Sequence, residues 1–255
     1  FLLFFFFQVV GRPVEILVPQ RLKSRHRKHR DAYLQELGVR SMAPGRTLAC
    51  QRKDGSEFFG QISLSPIESE SGTLIYTAIR DVSAQTEAEQ LLRRIRSIHK
   101  CIEYLDHARS KASTNGARNI RQVCKILVKE GGYTQCWVGA MAGKGKKVSA
   151  TVAQFGFPKR SHPHAESLLV DRLQGDKAIV IREIMTDRRH EVLREFAEAL
   201  EFESLIGIPL RDGNRSLGLL GVHALEPTAF NDMERDLLRA LSMHLLWYFT
   251  DGAIS

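Results

Sequence analysis

The side chains able to do chemistry in this 255-residue sequence are scattered. Four cysteines, Cys50, Cys101, Cys124 and Cys136, stand far apart and form no C-x-x-C pair. Neither a disulfide scaffold nor a thiolate zinc site is expected, and the usage fits a reducing compartment, the cytoplasm. His162, His164 and His190 are the candidate metal ligands. Pro163 and a loop setting oppose a pre-formed site there, and no Cys or carboxylate pair completes it at ligand spacing, so no metal is expected. His99 is followed by Lys100 rather than an acid and does not look like a phosphoacceptor. Residues 139–147 are rich in Gly and Lys but lack G-x-x-x-x-G-K-[ST], which makes them a turn rather than a phosphate loop. No Ser is framed by a nucleophile elbow. No residue is assigned as catalytic, and the chain is expected to have no enzymatic activity of its own.

The run from Arg21 to Arg30 carries six Lys and Arg in ten residues, within a chain of net charge +8. Such a run could meet phosphates, but it has no interleaved aromatics for base stacking. A solvated helix face explains it without a partner, and no nucleic acid is expected. No apolar run approaches the roughly 20 residues that cross a bilayer, so no membrane contact is required. Phe1 to Phe7 is a short apolar run with neither a basic stretch before it nor a cleavage site after it, and it reads as the start of a fragment.

The elements that must position any site follow from periodicity. A basic helix spans residues 21–37. Strands are expected at 46–52, from Phe58 through Leu64, and at 74–80, with a hairpin turn at Lys53-Asp54-Gly55. Phe58, Gly60, Ile62 and Leu64 share one parity, which gives that strand a buried face. From Ala84 the period changes. Ala84, Ala88, Leu91, Ile95, Ile98, Ile102 and Leu105 alternate spacings of four and three, a heptad seam. The same spacing fits an amphipathic helix packed on its own domain, and a dimer seam through Leu91, Ile95, Ile98, Ile102 and Leu105 is the reading preferred here. Beyond it, helices are expected at 119–129, 167–173, 188–200 and 231–249. Strands are expected at 135–141, 148–155, 178–184, 204–210 and 217–224. The result is an α+β chain: antiparallel sheets flanked by helices, joined by a long amphipathic or coiled-coil helix. It divides into residues 1–83, a helical linker at 84–110, and residues 111–255.

Two family resemblances now attach to particular residues. Gly11-Arg12-Pro13, Arg52 to Ser56, Phe58, Ile62, Leu64 and Ile79-Arg80-Asp81-Val82-Ser83 resemble the C-terminal half of a PAS sensory domain. Ile126 to Val128, Gly131-Gly132-Tyr133, Trp137 to Gly139, Val152 to Gly156, Ile184 to Arg188, Ile208 to Leu210, Leu217 to Leu220 and Ala229-Phe230 with Glu234 resemble a GAF domain of bacterial sensors. The fold implied is therefore a partial PAS fold, then a GAF fold.

The resemblance implies a sensory input module of a multidomain signal-transduction protein. A signal from a ligand or from the PAS part would pass through a dimeric helix to a C-terminal output domain absent from this chain. The alternatives are the sensor portion of an enzyme, a histidine kinase or a diguanylate cyclase or phosphodiesterase, and a stand-alone binding module. Haem is not expected, because His29 lies one residue, about 100°, from the axial position and leaves Arg46 as a distal group without an iron ligand. Bilin is not expected either, since Cys101, Cys124 and Cys136 lack the attachment-loop context, and the cofactor is left unknown. Glu166 to Leu173 lacks the Gly-rich turn usual before the third strand. A GAF pocket would be lined by Trp137, Phe155, Ile184, Phe196 and Ile206, which could equally be core. Parity puts Gln135, Trp137 and Gly139 on one face of their strand and Cys136, Val138 and Ala140 on the other, without deciding which meets the cavity.

Overall fold

A computed structural model describes residues 9–35, 40–41, 47–70, 72–111, 115–142, 147–157, 177–186 and 188–250. The phenylalanine run, Arg46, the turn at 143–146, His162, His164 and the helix expected at 167–173 lie outside the described residues. The chain divides into two compact units, residues 1–89 and 90–255.

In the first unit, short 3-10 turns at Val14–Leu17 and Gln20–Leu22 lead into helix α1, Lys23–Gln35. Glu15, 2% exposed, accepts both Nη1 contacts of Arg30, at 2.8 and 2.9 Å, and stands 3.2 Å from His26. This ties the first turn to the basic helix. Strands β1 (Arg40–Ser41), β2 (Leu48–Gln51), β3 (Glu57–Ser69) and β4 (Gly72–Asp81) form an antiparallel sheet. β3 pairs with β4 along one edge and with β1 and β2 along the other. The β2–β3 turn closes as expected: Asp54 Oδ1 accepts from Ser56 N at 2.9 Å, and Gly55 takes φ +88°. Of the parity set, Phe58 and Gly60 are buried while Ile62 and Leu64 are only half-buried. Farther along, Ile67, Leu74 and Tyr76 are exposed.

Helix α2, Ser83–Ser110, starts from a side-chain cap: Asp81 Oδ1 accepts from Ser83 N at 3.0 Å and from its hydroxyl at 2.7 Å. Arg52 pairs with the other oxygen of Asp81 at 2.6 Å. From Gln90 onward α2 belongs to the second unit. Among the described residues no helix is long and apolar enough to cross a membrane.

The second unit adds α3 (Gly116–Lys129), β5 (Gln135–Ala142), β6 (Lys147–Phe155), β7 (Ile179–Ile181), α4 (Glu191–Leu200), β8 (Ser204–Asp212), β9 (Arg215–Ala224) and α5 (Asp232–Thr250). Its sheet runs β6-β5-β9-β8-β7, antiparallel throughout. Asn115 caps α3 through Arg118 N, and Asn231 caps α5 through Glu234 N, both at 2.9 Å. α2, α3 and α5 share the large core cluster with one sheet face, and α4 shares a smaller cluster with the other.

Two elements differ from the periodicity. β7 stops at Ile181 rather than reaching residue 184. Arg182 turns its guanidinium to the Ala229 carbonyl at 2.9 Å and to that of Phe230, and Glu183 takes φ +52°, so the chain leaves the sheet. The buried stripe of α2 is Arg94, Ser97, Ile98, Cys101, Leu105 and Ala108. Ile98 and Leu105, two members of the expected dimer seam, are therefore fully buried in this unit's own core and closed to a second chain. Ile102 packs partly against the same core, and Leu91 and Ile95 are half-buried.

Candidate functional site

The parity left open in β5 is resolved by what packs on each side. Cys136 and Val138 join Ile206, Ile208, Leu220 and Val222 under the helices. Trp137 faces the other way, with Ile181, Ile184, Leu193, Leu205 and Leu219. The indole lies over Gly221 of the neighbouring strand, where any Cβ would collide with its ring. Glycine is needed there so that the largest side chain of this face can lie flat on the sheet.

Beside Trp137 sits a polar pair inside an otherwise apolar layer. His223 on β9 and Gln135 on β5 are directly paired across the strands and are 1% and 4% exposed. Gln135 donates its amide N–H to the Leu200 carbonyl at the end of α4. That bond turns Oε1 toward His223 Nδ1, 2.8 Å away. Phe202 lies against the imidazole at a centroid distance of 4.3 Å, and Phe157 meets it edge-on at 5.8 Å. Burial alone pushes the His223 pKa down to about 3, so the ring is neutral. Its Nε2 is buried and has no hydrogen-bond partner among the described residues.

The five pocket candidates do not all meet. Trp137 and Ile184 share the small cluster, whereas Ile206 lies in the large cluster on the opposite face and Phe155 packs against that same cluster. Phe196 is half-buried on α4. Alternation separates them: Phe155 pairs with Cys136 across β5–β6, and Ile206 pairs with Val222 across β8–β9, both on the helical side. His223 and Gln135 were not among the candidates. The available signal was a lone polar residue in the apolar strand Leu217 to Ala224, at the parity that pairs with Trp137. Cys101, Cys124 and Cys136 are buried in the large core, and burial raises the thiols of Cys101 and Cys136. Cys50, in the first unit, is pushed up to about 11 by burial. None is poised as a nucleophile. Among the described residues no group of three or more His, Cys, Asp or Glu is arranged to hold a metal ion.

A second constellation joins the sheet to the two long helices. Arg94 of α2, 5% exposed, pairs with Glu226 and lies 3.5 Å from Glu234 Oε1. Its guanidinium sits over the Tyr133 ring at 4.9 Å. Tyr133 donates to Glu234 Oε1 at 2.6 Å, and Phe230 N donates to Oε2 at 2.9 Å. Burial, and then the Glu234 charge, raise the Tyr133 pKa well above its ordinary value. Phe230 stacks on Tyr133 at 5.9 Å and holds φ +66°. From the β7 side, Arg182 grips the Ala229 and Phe230 carbonyls, and Glu183 N donates to the Pro227 carbonyl at 3.1 Å.

Residues 120–245 match the family model of the GAF domain, and the second unit carries a GAF domain. Similar solved structures include a GAF domain from a phosphoenolpyruvate-protein phosphotransferase of Coxiella burnetii. It is 17% identical, with a TM-score of 0.48, over 63% of this chain and 99% of that one. Free methionine-R-sulfoxide reductase from Neisseria meningitidis, solved with its substrate, is 15% identical with a TM-score of 0.45, over 60% and 90%. A phycocyanobilin-bound GAF domain from a cyanobacterial phytochrome is 14% identical with a TM-score of 0.45, over 61% and 94%.

Proposed function

We propose that this chain is the sensory part of a cytoplasmic signalling protein and is not itself a catalyst. Its GAF unit takes a small molecule on the Trp137–His223 face and passes the change to α2 and α5. The receiving domain would be a histidine kinase or a diguanylate cyclase or phosphodiesterase. The first unit is read as the C-terminal half of a PAS domain feeding the same helix.

The observation that supports this reading is the segment from Glu226 to Glu234. Arg182, next to the small cluster, grips it from one side, and Arg94 of α2 grips it from the other. A shift at β7 or at the Glu183 turn would move this segment and, through the buried ion pairs, both long helices. Two copies would associate through the face of α2 that the core leaves open: Leu92, which is 51% exposed, with the half-buried Leu91 and Ile95. Sedimentation at tens of micromolar tests the association. The wild type should be a dimer, and Ile95→Glu should be a monomer that keeps its near-ultraviolet dichroism. A monomeric wild type, or a dimeric Ile95→Glu, would remove the helix pair from the account.

A further inference from the structure

The hydrogen bonds around Gln135 settle what kind of group His223 offers. An amide that donates Nε2–H to the Leu200 carbonyl must present its oxygen to His223. Nδ1 is then the protonated nitrogen, and Nε2 carries a bare lone pair. That lone pair is buried and unpartnered among the described residues. Buried acceptors are rarely left so, and an unfilled one at the heart of a candidate site marks where a donor is missing. Its surroundings are aromatic, with Phe202 fully buried and Phe157 half-buried, so Phe157 is the ring on the solvent side. No charged side chain hydrogen-bonds either His223 or Gln135 among the described residues.

We infer that this face receives a small, flat, uncharged ligand that donates one hydrogen bond, from an N–H or O–H group, to His223 Nε2. The inference rests on the reading of the Trp137 face as the ligand side and adds the ligand's polarity. A carboxylate or phosphate would set its own lone pairs against the Nε2 lone pair, so an anionic oxygen is disfavoured at that atom. A flat ring stacks or packs edge-on among Trp137, Phe157 and Phe202, while the donor fixes its orientation. Entry passes Phe157.

The test uses the full chain, nitrogen-labelled at histidine, with indole as probe and N-methylindole as its donor-less counterpart. In the free protein, nitrogen NMR should show His223 protonated at Nδ1 and bare at Nε2. Indole should shift the Nε2 resonance and bind at least about tenfold more tightly than N-methylindole. His223→Phe should bind the two probes alike. A protonated Nε2 in the free protein, or equal binding of the two probes by the wild type, overturns the donor rule and leaves the ligand-side reading standing. Failure of both probes to disturb His223 overturns the inference and that reading together. The tautomer is read on the wild type, so the result does not depend on how the variant folds.

Discussion

His223 sets a pH dependence that follows from its burial. Its pKa drops from an ordinary 6.5 to about 3, so the unfolded chain takes up a proton that the folded ring refuses. Stability is full above about pH 6.5 and falls as the pH drops through 6.5 toward 3. The loss is on the order of 5 kcal/mol at the acid end. Asp81 acts lower: Arg52 and the Ser83 cap hold its carboxyl at about 2 against an ordinary 3.8, so its contribution is lost only as the pH falls through that range. Urea midpoints of the wild type should therefore fall more steeply between pH 7 and 4 than those of His223→Phe, which has no ring to titrate. Parallel curves would mean that the imidazole is hydrated. The Asp54–Gly55 turn could be read from neighbours within a few residues. His223 could not, because its partners Gln135 and Leu200 are distant in sequence and only the β5–β9 register brings them together.

At the scale of elements, α2 shows why a spacing can be read without naming what each residue packs against. Alternating steps of four and three describe a seam between two chains and an apolar stripe on one domain equally well. Arg94, Ser97 and Cys101, polar or small in the sequence, are buried alongside Ile98 and Leu105, and they turn the buried stripe away from Leu91 and Ile95. Ile98→Ala should thus cost the GAF unit about 2–5 kcal/mol through a core cavity, with the oligomeric state unchanged. Thermal unfolding together with sedimentation would check it. A variant as stable as wild type would place Ile98 outside the core. The strands of the second unit were legible because their apolar runs are bounded by turns. The pocket candidates scattered because strand parity gives two faces without naming the element that covers each. Here α4 on one face and α2, α3 and α5 on the other decide it.

At the scale of the whole GAF unit, one sheet separates a small layer containing Trp137 and His223 from a large helical layer. The segment from Glu226 to Glu234 touches both. Glu234 is nearly completely buried, so removing the Arg94 charge takes away the cation that faces it in the interior, at a cost of about 3–5 kcal/mol. The central claim is that this segment links the two layers. Its most direct test is hydrogen–deuterium exchange on Phe202→Ala, which loosens only the small layer, in the presence and absence of Arg94→Met. The account predicts that Phe202→Ala speeds exchange not only in β9 and α4 but also in the first turn of α5 around Glu234 and in α2 around Arg94. It predicts that the distant response disappears when Arg94→Met is added. Exchange that stays confined to β9 and α4 while Arg94 is intact would contradict it.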